Sequence, residues 1–332
     1  TMAWFEVSTY ETTLRQLAPN LRSLVIWNQF SGQFSLHIYL KLESYLSSNQ
    51  LTALSISKSV GFLLTIFYHL PSLLQLRLHA STLVGFSTVD GTPEFEPVST
   101  WSQSSRPKLR YLSIEDASAE QMNVLKWFMD PICAFDVSEL KTFHALELTK
   151  DGESIAAYSI CQTFVKFISS SLQNLALDPS TGVLLDAKWF KFDPIPQLHS
   201  IKLSLQHDPF PFRNFLPWTA DVLASLSHSE KLEYLDIPCT FAGEHGHGIR
   251  LDSSQGWYAL DNVLLSRRFS NLKGVTFGVV TAGAMTSERE RLSTIVEAIP
   301  KLLPGLSDRG VLTVTNSPIL GYVSSRDCWY AL

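Results

Sequence analysis

A chain of 332 residues with 45% hydrophobic and 17% charged residues is long enough for a large core, arranged either as two domains or as a repeat array. Its net charge of −5, without any basic run, argues against general nucleic-acid affinity, which needs clustered Lys and Arg against phosphates. The longest apolar stretch, Val60 to Leu70, is too short for a bilayer span of about 20 residues and is predicted to be a buried helix.

Taken in chain order, the first residues, including Trp4 and Phe5, read as part of a unit preceding the hexamer LRSLVI at 21. That hexamer returns as LTALSI at 51, LLQLRL at 73, LRYLSI at 109, LQNLAL at 172, LHSIKL at 198, LEYLDI at 232 and LKGVTF at 272. A degenerate copy lies at 140–148, with Leu146 and Leu148 as its expected strand pair, and VLTVT at 311–315 closes the series. Helical spacing is predicted over Ser35–Ser48, Ala119–Met129, Glu153–Ser171, Ser253–Phe269 and Thr286–Leu303, the last with Thr286 or Ser287 as N-cap. Ser87–Pro107 reads as an exposed loop. Pro209–Trp218 reads as a loop whose rings either pack under the array or form a docking protrusion. Gly274 and Gly278 fall within a predicted strand, where close packing or a bend explains them.

In LxxLxL the fourth and sixth places alternate with polar neighbours, so they share one face of a strand. The first place precedes the strand, where the chain turns in. One such strand cannot bury three apolar side chains, but a stacked neighbour can. Repetition of the unit then builds a continuous core along an axis. Alternation of strand and helix predicts parallel strands joined by helical crossovers. The polar residues between the leucines, Ser55, Arg77, Ser113, Lys202, Asp236 and Thr276, predict a sheet with one face in water, unlike a doubly wound sheet covered on both faces. The predicted fold class is therefore α/β: one solenoid domain over 1–332, a horseshoe with parallel strands on its concave face and helices on its convex face. Clear repeats run over about 18–280, and a degenerate unit over about 286–316.

Together these features resemble a leucine-rich repeat protein. Phrases such as PSLLQLRL, RPKLRYLSI and SEKLEYLDI resemble the recognition regions of F-box proteins, above all the large fungal F-box-like set. The resemblance implies the substrate-receptor part of an F-box-type (SCF) ubiquitin ligase. An F-box is not found in this chain, so the ligase adaptor is an expected partner only if one lies upstream. Two readings compete with it: a free-standing scaffold without a ligase link, and, more weakly, a metal-dependent enzyme. The ninth place, where many leucine-rich repeats carry Asn, reads Gln29, Ser59, Ser81, Ala117, Ser180, Gln206, Thr240 and Val280, a departure from the pattern.

No GxSxG, HExxH or GxxxxGK[ST] motif occurs, so no catalytic residue and no cofactor is expected. Glu244, His245, His247 and Asp252 are metal-capable groups, but the glycines beside the histidines leave them loose, and no metal site is assigned. Cys133, Cys161, Cys239 and Cys328 form no CxxC pair, and three of them are expected to be small buried hydrophobes of a reduced, cytoplasmic or nuclear protein. Strand phase assigns Trp27, Arg77, His79, Tyr111, Glu115, Asp178, Lys202, Tyr234 and Asp236 to the open face as binding residues. The expected occupant of that face is a protein partner, with neither nucleic acid nor membrane involved. Lys202 and Asp236 read as a cross-strand charge pair.

Overall fold

The computed structural model describes residues 2–6, 21–27, 50–57, 60–80, 82–84, 106–116, 122–131, 133–148, 154–179, 192, 194–204, 211–226, 230–241, 254–281 and 286–318. The chain divides into two compact units, Thr1–Leu172 and Gln173–Leu332.

In the first unit the strands are β1 (Met2–Glu6), β2 (Ser23–Trp27), β3 (Ala53–Ser57), β4 (Val60–Leu63), β5 (Gln75–His79), β6 (Thr82–Val84), β7 (Tyr111–Glu115) and β8 (Thr142–Leu148). Six of them form a parallel sheet in the order β1-β2-β3-β5-β7-β8, and β4 pairs with β6 separately, also in parallel. A 3-10 helix (Leu64–His69) and the helices α1 (Val124–Met129) and α2 (Ser154–Phe167) supply crossovers. The stretch at 60–70 is thus strand followed by 3-10 turn rather than one buried helix. Phe67 of that turn is still fully buried.

The second unit carries β9 (Asn174–Pro179), β10 (Ser200–Leu203), β11 (Tyr234–Phe241), β12 (Gly274–Thr281) and β13 (Leu312–Pro318), parallel and paired in chain order. Its helices are α3 (Pro211–Ser225), α4 (Ser254–Leu265), α5 (Thr286–Leu302) and α6 (Pro304–Asp308), with a 3-10 turn at Arg267–Phe269. Four predicted helices therefore appear, three with bounds close to those expected, while the one predicted over 119–129 is the shorter Val124–Met129. The one at 35–48, the loop interior at 87–105 and the His245/His247 loop lie outside the described residues.

Register explains why the hexamer repeats. Leu24, Leu54, Leu76, Leu112 and Phe143 align across the first sheet, followed two residues on by Ile26, Ile56, Leu78, Ile114 and Ala145. Leu175, Ile201, Leu235, Val275 and Leu312 align in the same way in the second. The first-place leucines Leu21, Leu51, Leu73, Leu109, Leu140, Leu172, Leu198, Leu232 and Leu272 are each at most 3% exposed. Burying a leucine stabilises by about 1.5–3 kcal/mol, so these nine alone form a substantial core. The backbone between leucine and strand is fixed as well: Thr52 N donates to Arg22 O, Leu74 N to Thr52 O, Arg110 N to Leu74 O and Lys141 N to Arg110 O. Helices pack on the leucine face, Phe164 of α2 against Phe143 and Trp257 of α4 against Phe277. A cluster of Phe67, Trp127, Phe128 and Phe135, with rings 5.0–6.0 Å apart, fills the space under the first unit's crossovers.

Two further sequence expectations are overturned. The copy at 140 uses Phe143 and Ala145 as its buried pair, not Leu146 and Leu148; Leu146 stands level with Glu115 on the opposite face. Counting LxxLxL from Leu140 gives this phase, with Phe and Ala standing at core places that other copies fill with Leu or Ile. Pro209–Trp218 is not a loop from Pro211 onward, because α3 begins there. Proline is well placed in a first helical turn, Pro217 is exposed, and Phe215, Trp218, Val222 and Leu223 fall three, four and one apart on a buried face. Phe215 and Trp218 stack with ring centres 5.6 Å apart, inward rather than as a protrusion. Thr240 and Val280 at the ninth place are paired within β11 and β12, so these two strands run on past that position.

Cys133, Cys161 and Cys239 are buried and free, and burial pushes each thiol up to about 12. They act as hydrophobes at neutral pH. Among the described residues no helix is long and apolar enough to cross a membrane.

Candidate functional site

The face opposite the leucines is where sequence phase put the binding residues. In the first unit its rows run Ala53, Gln75, Tyr111, Thr142; then Val25, Ser55, Arg77, Ser113, His144; then Trp27, Ser57, His79, Glu115, Leu146. Much of this face is dry. Ser55, Arg77, Ser113 and Glu115 are buried at 3%, 7%, 0% and 5% exposure, which corrects the expectation that it meets water there. Alternation separates two faces of a strand but does not say that the polar one is wet. Polar side chains can be buried when they bond one another.

They do so around Glu115. Arg77 Nη2 donates to Glu115 Oε2 at 2.6 Å, and Ser113 Oγ donates to Oε1 at 2.7 Å. His79 Nδ1 stands 3.7 Å from Oε2. Burial alone would raise the Glu115 carboxyl; the His79 ring, the Arg77 guanidinium and the Ser113 hydroxyl together outweigh it and hold the group at about 2. The cluster is thus an ionised, buried network that stiffens the β5–β7 junction. Beside it, the Tyr111 hydroxyl and His144 Nδ1 are 3.1 Å apart, with the two rings edge to face. His144 was missed from the sequence because of the one-residue phase error in β8. Trp27 lies in β2, and its side chain is outside the described residues.

In the second unit the same face splits into a buried and a wet part. Asp178 is fully buried and accepts from Ser204 Oγ at 2.7 Å. Tyr234, by contrast, is 52% exposed although it sits in mid-sheet, paired with Ser200 and Gly274. Two residues on, Asp236 pairs with Lys202 in register, and Lys202 Nζ is 3.9 Å from Asp236 Oδ2. This is the expected cross-strand charge pair. Both side chains are nearly half exposed, so it contributes about 0–1 kcal/mol. Partial burial raises the Asp236 carboxyl above its ordinary value, and Lys202 only partly opposes that.

Gly274 lies against the Tyr234 ring: a Cβ there would stand 3.4 Å from Cδ1. Gly278 meets Pro238 similarly at 3.5 Å, so both glycines answer to close packing, as the sequence suggested. Among the described residues no group of three or more His, Cys, Asp or Glu is placed to hold a metal. Of the nine residues assigned from the sequence, the structure brings Arg77, His79 and Glu115 into one cluster, with Tyr111 nearby on β7, and Lys202, Tyr234 and Asp236 into another. No protein-family model matches the chain, and no curated protein matches its sequence.

Proposed function

We propose that the chain is a leucine-rich repeat horseshoe whose role is protein recognition without catalysis, on the face opposite the leucines. The observation that carries this reading is the burial of nine first-place leucines beside register-aligned core residues such as Leu54, Leu76, Leu112, Leu175 and Leu235, with helices packed on the leucine side in each unit. The other side carries Tyr111 in the first unit and Tyr234 in the second, a residue type suited to anchoring an interface, and Lys202 and Asp236 add charges that can set specificity. Within that reading, the resemblance to fungal F-box-like proteins makes the module the substrate receptor of an SCF-type ubiquitin ligase.

Recovery of a binding partner by the wild type and by Tyr111→Ala/Tyr234→Ala/Asp236→Ala tests the recognition role. Arg77 is left out of this variant because its removal would strand the buried Glu115 carboxylate and confound binding with unfolding. Loss of a saturable partner in the triple variant supports the assignment of the face, and equal recovery overturns it. Copurification of the full gene product with the ligase adaptor tests the ligase role separately. Its failure leaves a free-standing scaffold.

A further inference from the structure

Tyr234 and Asp236 stand two residues apart on one face of β11, about 7 Å along the strand. Gly274 on the neighbouring strand lies against the tyrosine ring, leaving 52% of that residue open. Asp236 has a carboxylate with room for several donors, yet its one cationic neighbour among the described residues, Lys202, is 3.9 Å away, beyond hydrogen-bond length. A half-exposed tyrosine and a carboxylate whose cationic neighbour stands beyond hydrogen-bond length, at this spacing, suit a planar cation with several N–H groups. A guanidinium can stack on the ring and donate two parallel hydrogen bonds to the carboxylate, whereas an ammonium offers a point charge without the stacking plane.

We propose that Tyr234 and Asp236 form a recognition notch for an arginine side chain of a peptide segment in the partner protein. The inference rests on the protein-recognition reading above and specifies what that face reads. Lys202 competes with the arriving arginine for Asp236 and repels it, so the notch is tuned against weak cations. This differs from a purely structural Lys202–Asp236 pair, which predicts no gain on removing the lysine.

The test is selection of random linear dodecapeptides displayed on phage against the whole chain, as wild type, Asp236→Asn, Tyr234→Leu and Lys202→Ala. All three sites are substantially exposed, so denaturation midpoints should stay at the wild-type value. Peptides recovered on the wild type should carry arginine at one fixed position. A synthetic copy of a recovered peptide, with that arginine replaced by uncharged, isosteric citrulline, should bind the wild type about tenfold more weakly and Asp236→Asn no differently. Lys202→Ala should bind the arginine peptide more tightly. Recovered peptides without a fixed arginine, or equal binding of the citrulline form, overturn the notch while leaving recognition by this face standing. Failure of the wild type to select any peptide overturns the notch, and the partner-recovery test then decides recognition by this face separately.

Discussion

Arg77 on β5 and Glu115 on β7 meet diagonally, with Nη2 and Oε2 at 2.6 Å, both under 10% exposed. A buried ion pair contributes little net stability when intact, because desolvating both charges offsets their attraction. Losing one partner is different. Arg77→Ala should destabilise the first unit by about 3–5 kcal/mol, because it leaves an ionised carboxylate in a dry site. The double variant Arg77→Met/Glu115→Leu should cost far less than the single one. Urea denaturation of the three proteins measures this, and a double variant as unstable as Arg77→Ala would refute the pairing argument.

The same network sets an acid limit. The Glu115 carboxyl is held at about 2, against an ordinary value of 4.5. A depressed carboxyl pKa contributes stability that is complete above the unfolded value and lost as pH falls through the folded one. The window is therefore from about 4.5 down to about 2, over which the wild type should lose on the order of 3 kcal/mol from this group. Glu115→Gln starts less stable at pH 7 and should show a flatter decline across that window. Parallel curves for the two proteins would remove Glu115 as the source.

Adjacent substitutions on β7 separate the two faces in an unexpected way. Leu112→Asp places an unpaired charge in the leucine core and should unfold the array. On strand alternation alone, Ser113→Asp would be mild. Ser113 is fully buried and donates to Glu115, so an aspartate there removes a donor and sets a second carboxylate against the first. Both variants should be severe at pH 7. Ser113→Ala should cost only about 1–3 kcal/mol, the value of one buried hydrogen bond to a charged group. A neutral Ser113→Asp would mean that this face is wet after all.

These cases mark how far the sequence could be read. The core was legible because burial of Leu21 through Leu272 imposes a fixed spacing on the chain, and parallel pairing keeps that spacing in step. Helices such as Thr286–Leu302 showed through their apolar period. The open face was legible as a set of positions but not as an environment. Whether Arg77 or Lys202 ends in water depends on cross-strand neighbours, and local alternation does not encode them. Among the assigned residues whose side chains are described, Tyr234, Lys202 and Asp236 kept the greatest exposure, and no spacing rule distinguished them from Arg77 and Glu115. The β8 phase failed for a related reason. Phe143 and Ala145 fill the core as a pair of unequal sizes, and Phe164 of α2 lies against the larger one.

Arg309 shows a further departure from the repeat. Register with β12 puts it at the first place of the closing copy, where every earlier copy has leucine. Its guanidinium donates to the carbonyls of Phe269, Ser270 and Leu272, at and just beyond the end of the 3-10 turn. A leucine would fill the place but leave those acceptors unbonded by a side chain. Arg309→Leu should therefore destabilise β13 by about 1–3 kcal/mol. Amide exchange should accelerate in Leu312–Thr315 and remain unchanged in β10. Protection of β13 at wild-type levels would show that the arginine is dispensable.

His79 and Glu115 pair in register, and the residues that follow them, Ala80 and Asp116, both adopt left-handed backbone, with φ of 44 and 50 degrees. Their amides continue the ladder, Ala80 N to Glu115 O at 2.8 Å and Asp116 N to Leu146 O at 3.0 Å. Holding these bonds while turning the chain requires positive φ, which costs an alanine about 1–2 kcal/mol; aspartate tolerates it better. Ala80→Gly should release part of that strain and stabilise by about 0.5–1 kcal/mol after the greater unfolded-state freedom of glycine is counted. Asp116→Gly should gain little or nothing. Ala80→Val should destabilise, because a branched Cβ fits this region worst. Denaturation midpoints ordered Gly above Ala above Val at position 80, with a flat response at 116, are the expected result. A loss on Ala80→Gly would mean that the turn is not strained.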